Sequence, residues 1–297
     1  MGAIYRACRG FGTDEAALIR VLGRRDGATI DAIRASYRHG NGLIKTLSSE
    51  TSGNFKTALI GTAYGPLDGI AFFAHRAISG AGTDEAMLTE QIMGRTNAEL
   101  AAAKSAYQRM FGRSLESDVR GDLSMKTEEL FVFALRGQRA EEWVPPNPAD
   151  IAQQVSALYA ATKGRLGTDE TTVSGILTRA NDNQLRAMIY EYGQLHGDML
   201  RMIRSEFSGH MRDVFLYILE GAKDKAARDA ALLEAAMKGF GTRDDHLIMR
   251  VVRCHWDRRH MEAVKTAYRN QFGKELSKRI RGETSGDYRD MLLEMVG

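Results

Sequence analysis

The chain has 297 residues, 43% hydrophobic and 27% charged, and 41 Lys and Arg against 38 Asp and Glu leave a formal net charge of +3. This is the balance of a globular protein of one large or several small domains, without the one-sign charge run that a nucleic-acid surface needs. Two cysteines, Cys8 and Cys254, exclude a disulfide framework, and the longest apolar run, Leu130 to Leu135, is too short to cross a bilayer.

At the N-terminus, Met1 to Arg6 lacks the apolar core of a signal peptide. Gly2 is followed by Arg6, where a myristoylation motif wants Ser or Thr. A reducing, cytoplasmic compartment is therefore expected, with any membrane association peripheral. A short helix leads into Gly10-Phe11-Gly12-Thr13-Asp14-Glu15. Thr13 reads as an N-cap, and Asp14 and Glu15 suit the positive end of the helix dipole. Leu18, Ile19, Val21 and Leu22 then recur at helical spacing. Asp26-Gly27 breaks that helix, Ile30, Ile33 and Tyr37 mark the next, and His39 to Gly42 breaks again. Leu43, Ile44 and Leu47 form a further helix, and Ser52-Gly53 precedes a last one through Phe55, Leu59 and Ile60. The unit thus has about five helices.

The glycine phrase returns as Gly80-Ala81-Gly82-Thr83-Asp84-Glu85, then as Gly164-Arg165-Leu166-Gly167-Thr168-Asp169-Glu170, then as Gly239-Phe240-Gly241-Thr242-Arg243-Asp244-Asp245. The threonines are 70, 85 and 74 residues apart, and the long interval contains Trp143-Val144-Pro145-Pro146-Asn147-Pro148. Proline removes a backbone donor and stops helices, so this segment reads as a linker between two halves of two repeats each. The predicted fold is all-α, with repeats at 1–65, 66–137, 150–222 and 223–297 and the linker at 138–149.

Downstream of each loop an acidic residue precedes Ser by two places: Glu50-Thr51-Ser52, Asp122-Leu123-Ser124, Glu206-Phe207-Ser208 and Glu283-Thr284-Ser285. The acids follow their threonines by 37, 39, 38 and 41 residues. The serine reads as an N-cap of the unit's last helix, which leaves the acid in an interhelical loop. Glycines let a loop turn its carbonyls outward and admit a ligand without Cβ obstruction. Calcium takes about 6–8 oxygens, carbonyl and carboxylate together, so loop carbonyls plus one distant acid leave positions for a lipid phosphate.

The loop followed about 38 residues later by D/E-T-S-G resembles the type II calcium site of the annexin family, and the resemblance covers nearly the whole chain. It implies a curved disc of four repeats with the calcium loops on its convex face, which binds acidic phospholipid membranes in a calcium-dependent way without catalysis. It implies carbonyl ligands at Cys8, Gly10 and Gly12; Ile78, Gly80 and Gly82; Thr162, Arg165 and Gly167; and Met237, Gly239 and Gly241. The implied carboxylates are Glu50, Asp122, Glu206 and Glu283. Arg9, Phe11, Ala81, Leu166, Lys238 and Phe240 would then face the headgroups, the alternative for the apolar ones being the core. In the second repeat Leu123 and Met125 replace the motif's Thr and Gly, which weakens that site. The chain starts within the expected first helix, implying a short or truncated N-terminal tail.

No EF-hand loop or nucleophile elbow is present in the sequence. Cys254, His255 and His260 lack the paired spacing of a zinc site and are read as packing or surface residues. The alternative to membrane binding is a helical scaffold for protein partners with partly vestigial calcium sites.

Overall fold

The computed structural model describes residues 2–10, 12–80, 82–123, 125–164 and 166–297, and among them it contains twenty α-helices and no strand. Each repeat supplies five. The first has α1 (Gly2–Ala7), α2 (Glu15–Leu22), α3 (Gly27–Ser36), α4 (Leu43–Glu50) and α5 (Gly53–Ala63). The second has α6 (Gly65–Ile78), α7 (Glu85–Ile92), α8 (Asn97–Phe111), α9 (Leu115–Asp122) and α10 (Met125–Leu135). In the third are α11 (Pro148–Ala161), α12 (Glu170–Arg179), α13 (Asp182–His196), α14 (Met199–Glu206) and α15 (Gly209–Lys223). The fourth comprises α16 (Lys225–Met237), α17 (Asp244–His255), α18 (Arg258–Phe272), α19 (Leu276–Glu283) and α20 (Gly286–Val296).

The repeats do not pair in chain order. One compact unit joins residues 1–72 with 226–297, and the other spans 73–225. In the first unit α5 packs on α17 and α20, and α2 on both α5 and α20, so the second and fifth helices of repeats 1 and 4 make a four-helix core. In the second unit α7, α10, α12 and α15 repeat that arrangement for repeats 2 and 3. Helices at such a centre must be apolar nearly all round. Accordingly α5 buries Phe55 and every residue from Ala58 to Ala63, and α17 buries nine of its twelve.

The proline-rich segment, between the second and third repeats, therefore runs within one compact unit and not between the two units. Proline stops a helix locally but carries no information about which helices later share a core. The segment is tied down by hydrogen bonds instead. Asn97 Nδ2 donates to the Arg139 carbonyl at 2.8 Å, and Asn181 Nδ2 to the carbonyls of Glu141 and Val144 at 2.8 and 2.9 Å. Asn147 then caps α11, whose first residue is Pro148.

Candidate metal centres in the interhelical loops

Each glycine phrase links the first and second helices of its repeat, and one hydrogen bond closes all four loops. The N–H of Asp14, Asp84, Asp169 or Arg243 donates to the carbonyl of Ala7, Ala77, Ala161 or Ala236, at 2.8 Å in every case. The closed loop demands left-handed backbone at its last glycine, with φ of 89°, 96°, 81° and 86° at Gly12, Gly82, Gly167 and Gly241. A Cβ there would meet nothing within 4 Å, so conformation and not crowding requires glycine, and the loop surface is open.

The helix cap is one residue later than the sequence suggested. Asp14, Asp84 and Asp169 cap α2, α7 and α12 through bonds from the N–H groups of Ala17, Met87 and Thr172, whereas Arg243 caps α17 without a side-chain bond. A carboxylate suits the positive helix end better than a hydroxyl, which frees the threonine for another partner. That partner lies far away in sequence. Thr13 Oγ1 donates to the Glu50 carbonyl at 2.9 Å, Thr83 to Asp122 at 3.4 Å, and Thr242 to Glu283 at 3.3 Å. Thr83 also bonds the Asp122 carboxylate, and Thr242 reaches Glu283 Oε2 at 3.2 Å. Thr168 departs from the pattern and donates to Glu170 at 2.8 Å. In three repeats, then, a hydroxyl ties the glycine loop to the acid.

The acids are the final residues of α4, α9, α14 and α19, not loop residues as expected. Ser52, Ser208 and Ser285 do stand at the N-caps of the following helices, but their side chains make no capping bond. A carboxylate at a helix C-terminus faces the negative end of the dipole, an unfavourable position unless a cation joins it.

In two repeats the chain supplies that cation. Lys163 Nζ pairs with Glu206 and holds its carboxyl below the ordinary carboxylate range. Arg279 donates to Glu283 Oε1 and to the Met237 carbonyl, each at 2.5 Å. One guanidinium thus bridges a candidate carbonyl and the candidate carboxylate through two different nitrogens. Glu50 is exposed, and Ser49 Oγ reaches its Oε1 at 3.3 Å. Cys8, opposite it, is half-buried; burial and then the charge of Glu50 raise its thiol pKa. Hard oxygen donors, open loop surface and an internal cation standing among the oxygens all fit a calcium ion.

Of the apolar loop residues, Phe240 and Leu166 are fully exposed, at 114% and 102% relative accessibility, which excludes the core for both. Arg9 and Lys238 are exposed too. Among the implied carbonyl residues, Ile78 and Gly80 lie at the end of α6 and just beyond it, and the side chains of Thr162 and Met237 are buried. Phe11, Ala81, Arg165 and the capping residue Ser124 lie outside the described residues.

Cys254 and His260 meet not at His255 but at Asp229, a residue that no sequence motif marks. Their ligating atoms lie within 4.8 Å of one another. Asp229 Oδ1 accepts from Arg228 at 2.8 Å and Arg253 at 2.7 Å, and Oδ2 from His260 Nε2 at 2.7 Å. Burial pushes this carboxyl up, but Arg253 and Arg228 outweigh it and hold the group far below the ordinary range. Arg228, Arg253 and His260 all pair with this carboxylate, so the cluster is a buried ion-pair network joining α16, α17 and α18. His255 bonds the carbonyls of Met295 and Arg25 instead, at 3.3 and 3.0 Å.

The architecture and these loops define an all-α protein of four five-helix repeats with oxygen-lined loop sites. The annexin family's sequence model matches residues 2–61, 71–133, 153–218 and 228–295, one match per repeat. The chain belongs to the annexin family. It is 40% identical to annexin C1 of Cryptococcus neoformans over 99% of this chain and 63% of that protein. It is 39% identical to mouse annexin A13, over 99% and 92%. The structure resembles annexin III, with a TM-score of 0.91, 29% identity and coverage of 100% and 92%. It also resembles a calcium-bound annexin (Sm)1, with a TM-score of 0.87, 25% identity and coverage of 100% and 88%. Calcium-dependent phospholipid binding is the general property of this family. Among the described residues no helix is long and apolar enough to cross a membrane.

Proposed function

We propose that this protein docks peripherally on acidic phospholipid membranes when cytoplasmic calcium rises, through the four glycine loops and the acids Glu50, Asp122, Glu206 and Glu283, and that it performs no catalysis. The observation that carries this reading is the threonine bridge, which draws a glycine loop onto an acidic helix end 37, 39 or 41 residues away. Such a bridge serves a ligand that needs both pieces, since packing alone has no use for an acid at the negative end of a helix.

Calcium, when bound, joins protein oxygens to a lipid phosphate oxygen. The chain's part is to present carbonyls from the loop, to hold one carboxylate beside them, and to leave the outward side open. One carboxylate per site gives weak binding in solution, about 10⁻⁴–10⁻³ M. Several sites engaged at one bilayer raise the apparent affinity without new contacts. Phe240 and Leu166, already exposed, add apolar area that favours the headgroup region over water.

Co-sedimentation with vesicles of phosphatidylserine and phosphatidylcholine tests the reading. The protein should pellet with calcium and stay in solution with chelator. Pelleting that ignores calcium, or no pelleting at millimolar calcium, would favour the scaffold for protein partners.

A further inference from the structure

The helix that ends in the fourth acid carries a side chain with no counterpart in the first repeat. Arg279 lies one helical turn before Glu283 on α19, and the corresponding positions before Glu50, Asp122 and Glu206 hold Thr46, Asp118 and Met202. None of those is a cation. Thr46 bonds the Gly42 carbonyl, Asp118 accepts from Tyr107, and Met202 is buried.

Arg279 is held on three sides. Its Nε faces Glu234 Oε2 at 3.4 Å, one terminal nitrogen donates to Glu283 Oε1, and the other to the Met237 carbonyl. Its side chain is only 22% exposed, as is that of Glu283. Thr242 takes the second carboxylate oxygen, so both oxygens of Glu283 are engaged. In the first repeat the exposed Glu50 carboxylate contacts the neighbouring Ser49 hydroxyl, and Thr13 binds only its backbone.

We propose that Arg279 is a tethered cation that competes with calcium for the oxygens of the fourth repeat, so that this site fills at higher calcium than the first. The inference rests on the calcium reading above. A dication cannot share Glu283 Oε1 and the Met237 carbonyl with a guanidinium that contacts both, because the charges repel and the space is one. Filling the site therefore requires the guanidinium to give up both bonds. Glu234, on the other side of Arg279, keeps the displaced charge paired, so the exchange is reversible. The chain thus carries a graded response: the first repeat engages at low calcium and the fourth at high.

The test isolates the fourth site with the triple variant Glu50→Gln, Asp122→Asn, Glu206→Gln, and measures calcium uptake by equilibrium dialysis with phosphatidylserine–phosphatidylcholine vesicles. Adding Glu283→Gln should abolish the remaining uptake. If it does not, the ligand assignment itself fails and the proposal falls with it. Where uptake does depend on Glu283, adding Arg279→Gln to the triple variant should lower half-saturating calcium about tenfold, the scale of one charge-assisted hydrogen bond. Arg279→Lys, which keeps the charge but cannot span both oxygens, should fall between. Unchanged or raised half-saturation in Arg279→Gln would overturn the proposal and make Arg279 a residue that orients Glu283. If Arg279→Gln fails to fold by circular dichroism, the lysine variant decides alone: lowered half-saturation supports competition and an unchanged value refutes it.

Discussion

The first and fourth repeats share one compact unit and carry nearly the same loop, yet they hold their acids differently. In the first, the glycine loop meets an exposed Glu50 through the Thr13 hydroxyl. In the fourth, Thr242 makes the same reach, but Arg279 bonds both the Met237 carbonyl at the end of α16 and the Glu283 carboxylate. The fourth repeat also contains the buried Asp229 network, while the first relies on partly exposed pairs such as Arg34 with Asp31 and Asp68. The difference shows how one motif can leave its acid exposed or pair it with an internal cation. What decides is a residue on the neighbouring helix, outside the motif.

The largest expected effect tests the rigidity of the fourth repeat. Asp229→Asn should destabilise the fold by about 3 kcal/mol at neutral pH, because it removes the charge that pairs with buried Arg228 and half-buried Arg253. The native pKa of Asp229 lies below the unfolded value of about 3.9, so its contribution is fully present above that value. It is lost as pH falls through the native pKa. The stability gap between wild type and variant should therefore be widest near neutrality and shrink below about pH 4. Denaturant titrations across pH measure this; a gap that widens in acid would show that Asp229 is not the paired group.

The acids themselves come next. Glu50→Gln should raise the calcium required for vesicle binding about tenfold, since it removes the one full charge of its site. Glu283→Gln should raise it only about threefold, because the charge it removes is already neutralised by Arg279. Helix content should be unchanged in both. Co-sedimentation at graded calcium gives the order, and a larger effect from Glu283 would invert the comparison.

Phe240→Ala should weaken vesicle binding at fixed calcium by about threefold, a fraction of full side-chain burial because insertion is shallow. Melting temperature should stay unchanged, since the ring touches no core. Leu166→Ala should behave in the same way in the third repeat. A drop in melting temperature without loss of binding would return these side chains to a packing role.

A separate effect, on stability alone, lies in the second repeat. Gly53, Gly209 and Gly286 open the last helices of their repeats with φ of 58°, 57° and 61°, and Met125 takes the same left-handed conformation at φ 53°. A side chain there costs about 1 kcal/mol, so Met125→Gly should stabilise the protein by about that amount in thermal or denaturant unfolding. No gain would mean that exposed Met125 has found compensating contacts.

Periodicity, glycine placement and repeat spacing were enough to read an all-α chain of four five-helix units, because helix hydrogen bonds and apolar stripes are local properties of sequence. The four loops and the four acids were legible for the same reason: they recur. The caps were misplaced by a single residue, since Thr and Asp are both good N-caps and only the presence of a distant helix end decides which one is needed elsewhere. Three things were settled by tertiary structure alone. Repeat 1 shares a core with repeat 4, and repeat 2 with repeat 3, because apolar α5 and α17, or α10 and α12, bury one another across long sequence distances. Asp229, silent in any motif, gathers Arg228, Arg253, Cys254 and His260 around it. Arg279, which no motif marks, bonds both the Glu283 carboxylate and the Met237 carbonyl. Charge pairing and burial depend on which surfaces meet in space, and sequence spacing carries that information only where a pattern repeats.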